Sequence, residues 1–209
     1  KHGPPDPETP YLMPGDDTPE KALGIWGAAR NRLQPLKAVW EANRHCDPDF
    51  PAYEDCLWYV ERYEQAKRHD GRIDFTDMLG MYAGYKFHVD GAQKIEPDGW
   101  VPKVPVWFLD EAQDSSALLH AVELRLIEPS QWVYVAADAF QSIFQFGGAD
   151  SSIFLDWQTD RSRIMPKSWR CPSKILACGE QIISGCSDYF DRKIEPCREG
   201  GEINRRDCG

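Results

Sequence analysis

The 209 residues are 42% hydrophobic and 12% aromatic, a content that supports a packed core and excludes an intrinsically disordered chain. A net charge of −10 argues against a free-standing nucleic-acid binder, because phosphate contacts require gathered Lys and Arg, although a local basic or aromatic groove stays open. No apolar run approaches the ~20 residues a bilayer demands and Lys1-His2-Gly3-Pro4-Pro5 lacks a signal-peptide core, so a soluble, intracellular, cytoplasmic protein with no membrane partner is expected.

Residues 1–17, rich in Pro, Gly and Asp, read as an extended lead-in. From Thr18 to about Asp70 the pattern is helical. Thr18-Pro19-Glu20 offers an N-cap with proline at the first helical position, followed by Ala22, Leu23, Ile25 and Trp26. Leu33, Leu36, Val39 and Trp40 recur at helical spacing, and a further helix starts near Pro51 with Tyr53, Leu57, Val60 and Glu64 along one face. Lys86–Pro105, interrupted by glycines and prolines, reads as a connector.

After Pro105 the grammar changes. Val104–Leu109 and Trp132–Ala136 are short apolar runs suited to strands buried on both faces. The first ends in Asp110-Glu111-Ala112-Gln113-Asp114 and is followed by a helix through Leu118, Val122 and Leu126; the second ends at Ala137-Asp138. Ile164-Met165 suggests a third strand, and a helix is expected from about Ser173 to Ser184. Strand, acidic turn, helix, strand is the rhythm of a parallel α/β sheet. The first half of the chain is therefore expected to be mostly helical and the second α/β.

Seven cysteines, an odd number without a CxxC pair, fit free thiols better than a disulfide scaffold, with a zinc or iron–sulfur site as the alternative.

Ligands of open parallel sheets bind beyond the carboxyl ends of the strands. Asp110 and Glu111 occupy that edge after one strand and Asp138 after the next. Adjacent acids behind an apolar strand are expensive to bury unless they meet a cation or act as a base, and Mg²⁺ held by a carboxylate and substrate phosphates would suit them. Capping of the following helix is the other use open to them, and above all to Asp114.

Phe108-Leu109-Asp110-Glu111-Ala112-Gln113-Asp114 resembles the Walker B segment (motif II) of the UvrD/Rep-type superfamily 1 DNA helicases. The resemblance implies that Asp110 holds Mg²⁺, that Glu111 assists it and activates the attacking water, and that Gln113 and Asp114 link the ATP site to neighbouring motifs. Asp138-Ala139-Phe140-Gln141-Ser142-Ile143-Phe144-Gln145-Phe146-Gly147-Gly148 resembles motif III. Gln141 would then sense the γ-phosphate while Phe144 and Phe146 stack on single-stranded DNA, a sequence-independent grip of ~1–3 kcal/mol per base. Core packing is the other use open to both phenylalanines. Lys167-Ser168-Trp169-Arg170-Cys171-Pro172-Ser173 resembles motif IV, implying that Trp169 stacks on the nucleotide base and Arg170 reaches the γ-phosphate; a surface ion pair is the alternative for Arg170. Ile73-Asp74-Phe75-Thr76-Asp77-Met78-Leu79 and Gly200-Gly201-Glu202-Ile203 are similar to flanking family segments, so the likeness spans about residues 70–205.

The implied fold is α/β: a partial RecA-like parallel sheet with flanking helices (1A-like, 99–190) and an N-terminal mainly helical insertion subdomain (1B-like, 1–98), with 191–209 opening the second motor domain or a linker. The implied function is ATP-dependent, Mg²⁺-dependent translocation on single-stranded DNA, 3′ to 5′. No G-x-x-x-x-G-K-[ST] occurs, and Gly147 stands where the family has arginine. The chain is expected to begin after the phosphate-binding loop, to lack ATPase activity by itself, and to depend on the remainder of the helicase, namely the P-loop segment and second motor domain. Two other functions stay open: a non-enzymatic remnant serving as a DNA- or protein-interaction module, and a metal-dependent nuclease built on Asp110, Glu111, Asp138 and Asp150.

Overall fold

A computed structural model describes residues 17–45, 49–142, 148–185 and 193–204. The chain divides into two units, one running up to Trp157 and the other from Gln158.

The first unit opens with α1 (Thr18–Asn31), whose first turn contains Pro19. Asp17, not Thr18, takes the cap position; first-turn amides have no helical acceptor, so proline lets the boundary move by one residue at no cost. The helical spacing expected through Leu33 breaks there. Leu33 adopts φ +56°, Pro35 denies Gln34 a helical conformation, and α2 (Leu36–Asn43) starts afresh. α3 (Tyr53–Asp70) ends on Gly71 in the left-handed region, the usual helix stop. Ala22, Ile25, Trp26 and Ala29 of α1 are buried with Leu36 and Val39 of α2 and Cys56 and Val60 of α3. The alanines let α1 approach α3 closely, and the Trp26 indole N–H donates to Glu64 Oε1 at 2.8 Å.

α4 (Phe75–Ala83) begins with a reciprocal cap. The Asp74 carboxylate accepts from the Asp77 amide at 2.9 Å, and the Asp77 carboxylate accepts from the Asp74 amide at 3.0 Å. Within the segment expected to be a connector, β1 (Tyr85–His88) and β2 (Gly91–Lys94) form an antiparallel hairpin around Val89-Asp90. Gly91, the first residue of β2, has φ +129°, a conformation open to glycine. The Phe87 ring covers Gly80 of α4 so closely that a Cβ there would lie 2.5 Å from it.

β3 (Val106–Leu109) pairs in parallel with β4 (Trp132–Val135), Phe108 opposite Tyr134, with α5 (Ala117–Ile127) between them in sequence. This strand–helix–strand unit gives the molecule its α/β character. Burial of these strands on both faces, expected from their apolar runs, does not hold. Phe108 is 73% and Tyr134 54% exposed, their rings stacked at 5.0 Å, whereas Trp107 and Leu109 on the opposite face are half-buried. Side chains alternate across a strand, and among the described residues only one face of this two-stranded sheet is covered. Ser116 caps α5 by accepting from the Leu119 amide at 3.2 Å. Arg125, near the helix end, donates to the carbonyls of Tyr82, Asp98 and Gly99 and lies over the Tyr82 ring, tying α5 to the end of α4. α6 (Ser151–Leu155) is capped by Asp150.

In the second unit β5 (Lys167–Ser168) and β6 (Glu195–Pro196) pair in parallel, with α7 (Ser173–Ile183) between them in sequence. The strand anticipated at Ile164-Met165 is displaced. Those residues are exposed coil, and pairing starts after Pro166, which has no N–H for a ladder. Cys56, Cys171, Cys178 and Cys197 are free thiols. Among the described residues no helix is long and apolar enough to cross a membrane.

Candidate functional site

The carboxyl edge of the β3–β4 sheet gathers several of the residues singled out by sequence. The two strands remain tied beyond their last paired residues: the Ala136 amide donates to the Leu109 carbonyl at 2.8 Å, and the Ala112 amide to the Ala136 carbonyl at 3.1 Å. Between these bonds the chain carries Asp110 and Glu111, both exposed to solvent. Asp110 Oδ1 accepts from the Glu111 amide at 3.0 Å. Glu111 itself has φ +55° and ψ +38°, a left-handed conformation that costs a residue with a Cβ roughly 1–2 kcal/mol. Non-glycine residues held there are found where surrounding structure over-determines them, often at functional sites. The conformation turns the chain sharply off β3 into a single 3-10 turn over Ala112–Asp114. Asp114 therefore lies inside that turn and does not cap α5.

Gln113 is the buried centre of the edge, 1% exposed. Its Oε1 accepts from the Asp138 amide at 3.0 Å, and its Nε2 donates to Glu111 Oε2 at 2.7 Å. A backbone N–H can only donate, so the first bond fixes which way the side-chain amide faces. The Gln113 carbonyl also accepts from Ser142 Oγ at 3.2 Å. One side chain thus joins the tip of β3 to the tip of β4.

Asp138 closes the second strand's exit. Its Oδ1 accepts from the Phe140 amide at 3.1 Å, and its Oδ2 from Gln141 Nε2 at 2.8 Å. Gln141, exposed at the end of the turn Ala139–Gln141, is folded back on Asp138. Glu111, Asp138 and Gln141 are accordingly brought together through Gln113, with Asp110 adjoining Glu111. Phe144 and Phe146, and Gly147 beside them, lie outside the described residues. Just beyond them Gly148 has φ +101°, and a Cβ there would lie 2.8 Å from Asn31 Cβ at the end of α1.

Trp169 and Arg170 belong to the second unit, in the link between β5 and α7. Trp169 is 73% exposed and Arg170 is also exposed. The link is held by its backbone: Ser168 Oγ accepts from the Cys171 amide at 3.1 Å, and the Arg170 carbonyl accepts from the Arg198 guanidinium. The Arg170 side chain forms no ion pair among the described residues. Gly200-Gly201 closes over the start of α7, with the Lys174 amide donating to the Gly200 carbonyl at 2.9 Å.

Among the described residues no group of three or more His, Cys, Asp or Glu is arranged to hold a metal ion, and Asp150 is engaged in capping α6, accepting from the Ser152 amide and hydroxyl. A Mg²⁺ ion that arrives with phosphate oxygens and water asks only one or two carboxylates of a protein, and Asp110 and Glu111 are the exposed acids at this edge.

A second cluster of charge lies beneath α4. Arg30, its side chain 7% exposed, meets Asp74 at 2.7 Å and Asp77 at 3.4 Å. Lys67 meets Asp77 at 2.6 Å, Glu64 at 2.9 Å and Asp74 at 3.1 Å. Burial alone would raise the Asp74 carboxyl, but the Asp77 amide, Arg30, Lys67 and the Tyr63 hydroxyl overcome it and hold the group well below the usual carboxylate range. Burial would lower the Lys67 ammonium, and its three carboxylate partners raise it instead. Sequence reading found the Asp74–Asp77 segment and missed this network, because its cations come from α1 and α3.

The profile of the family described as the UvrD/REP helicase N-terminal domain matches residues 29–162. The chain is 22% identical over 187 residues to YjcD of Bacillus subtilis (strain 168), whose name gives it provisionally as an ATP-dependent DNA helicase; the match takes in 87% of this chain and 22% of that protein. It is 23% identical over 149 residues to the ATP-dependent DNA helicase Rep of Buchnera aphidicola subsp. Baizongia pistaciae, covering 69% of this chain and 22% of Rep. The chain thus spans about a fifth of the length of these two relatives.

Proposed function

The chain belongs to the UvrD/Rep helicase N-terminal domain family, and from that premise we propose that it is part of the first motor domain of an ATP-dependent DNA helicase, translocating 3′ to 5′ on single-stranded DNA. The β3–β4 unit would belong to a RecA-like sheet over 99–190, the helices of 1–98 to its insertion subdomain, and 191–209 to the start of the second motor domain or a linker. One observation carries the reading: Gln113 joins the acidic tip of β3 to the Asp138–Gln141 turn beyond β4. A motor needs its hydrolytic carboxylate coupled to the segment that meets both nucleotide and DNA.

In this reading Asp110 holds Mg²⁺, with Glu111 beside it. Bound with ATP, the ion would neutralise charge on the phosphate oxygens. Glu111 orients and deprotonates the attacking water. Gln141 leaves Asp138 to contact the γ-phosphate, Arg170 meets charge developing there, Trp169 stacks on the base, and Phe144 and Phe146 stack on DNA. The P-loop segment and second motor domain of the longer protein supply the remaining phosphate contacts.

The test compares two proteins. The full-length gene product should hydrolyse ATP with stimulation by single-stranded DNA, and Glu111→Gln should abolish turnover while nucleotide binding persists. The 209-residue chain alone should show no helicase-level turnover. DNA-stimulated ATPase that survives Glu111→Gln would refute the assignment. Gly147, where the family has arginine, favours a second reading in which the fold serves as a non-enzymatic interaction module. A full-length protein that binds DNA or a protein partner without any ATP turnover would establish it.

A further inference from the structure

We propose that Arg32 is a phosphate-binding residue on the flank of the acidic edge, its guanidinium taking a phosphate of the DNA strand or of the nucleotide; this rests on the motor function proposed above. Arg32 is the half-buried C-cap of α1, its amide donating to the Ala28 carbonyl at 3.0 Å. Arg30 is spent on Asp74 and Asp77, but residues two apart on a helix face different ways. Arg32 lies instead against Gly148, where a Cβ would stand 3.5 Å from its Cγ. Gly148 is in turn fastened to the acidic edge through its neighbours. Ala149 bridges to Ser116, the Asp150 amide donates to the Ser115 carbonyl at 3.2 Å, and both serines directly follow the turn Ala112–Asp114. The end of α1 thus delivers a cation beside that edge.

A cation is needed there. The chain carries a net charge of −10, Asp110 and Glu111 are exposed, and Gly147 supplies no charge. A phosphate approaching these acids is repelled unless a cation answers it. Arginine suits the task because its planar fork matches two phosphate oxygens. With five donors, a guanidinium can keep a partner within the protein and still bind a phosphate.

The experiment uses the full-length protein. Arg32→Gln keeps a stem over Gly148 and removes the charge, and two arms separate the sources of phosphate. If the contact is to DNA, affinity for a thymidine oligonucleotide without ATP falls about tenfold, and the slope of log affinity against log salt shrinks by about 0.7. Arg32→Lys, which keeps the charge without the fork, then restores the slope. If the contact is to the nucleotide, ATP binds about tenfold more weakly while the oligonucleotide slope is unchanged. Either result supports the site. A folded Arg32→Gln protein with both quantities unchanged overturns it, whether or not the melting temperature falls, because a cation that only serves the helix end touches stability alone. The motor function survives that outcome if Glu111→Gln still abolishes DNA-stimulated turnover. If Arg32→Gln does not fold, the parent protein decides: modification of Arg32 by phenylglyoxal, read by peptide mass, should be blocked by saturating oligonucleotide or by ATP, and an unprotected Arg32 overturns the site. A full-length protein that binds neither ATP nor DNA removes the motor function and this site together.

Discussion

Replacing Asp74 by Asn and by Ala separates its two structural duties. As a helix cap it accepts from the Asp77 amide; as an anion it meets Arg30, Lys67 and Tyr63. Asparagine caps as well as aspartate does, whereas alanine loses about 1 kcal/mol of capping. Removing one partner from a buried ion pair costs ~3–5 kcal/mol. Two features reduce that figure here. The Asp74 side chain retains 22% exposure, and Lys67 keeps Asp77 and Glu64, although Arg30 is left only the longer contact to Asp77. The expected losses are about 2–3 kcal/mol for Asp74→Asn and about 3–4 kcal/mol for Asp74→Ala. For a chain of this size 1 kcal/mol shifts Tm by about 2–4 °C, so falls of roughly 7 and 10 °C should appear by thermal melting. Both variants melting within about 1 °C of the parent, a shift below the ~0.5 kcal/mol typical of surface changes, would show that the network contributes nothing net.

The same network sets a pH window. Asp74 titrates lower in the folded chain than unfolded, so its contribution is complete above the unfolded value of about 4 and is lost as pH falls through the folded one. Lys67 titrates higher when folded, so its contribution is complete below the unfolded value of about 10.4 and is lost as pH rises through the folded one. Acid unfolding monitored by circular dichroism should begin at higher pH in Asp74→Asn than in the parent. Gly148→Ala should destabilise by about 1–3 kcal/mol, since it places a Cβ at φ +101° and 2.8 Å from Asn31 Cβ; an unchanged melting temperature would refute the close approach of this segment to α1. The Cys56 thiol is pushed up to about 11, chiefly by burial and then by Asp55, so at pH 8 it should resist a soluble thiol reagent in the native chain and react on unfolding. Labelling of native Cys56 as fast as of half-buried Cys171 would contradict its burial.

Much of the local architecture is legible in the sequence because its causes are local. Pro19 marks the start of α1, Gly71 and Gly84 end α3 and α4 in left-handed caps, and the Asp74–Asp77 box lies within four residues of sequence. The short apolar runs ending in Asp110-Glu111 and Asp138 place acids at strand tips, since a strand's exit from a parallel sheet is a consequence of its length and pairing. The hairpin over Tyr85–Lys94 turns on Val89-Asp90, which is not one of the dipeptides that mark a two-residue hairpin turn, so it is not legible in the sequence. Phe108 and Tyr134 cannot be placed by pattern, because an apolar run reads alike whether one face or both are covered.

Composition and order of residues by themselves determined the kind of each element, the α/β alternation after Pro105, the family resemblance and the acids at the strand ends. Only tertiary structure decided that Gln113 reaches across 25 positions to the Asp138 amide, that Arg30 finds Asp74 across 44, and that Glu111 is held in a left-handed turn. Helix propensity, caps and strand alternation act over a few residues and survive in the linear order. A hydrogen bond between distant segments depends on the packing that brings them together, and no short window of sequence contains both partners.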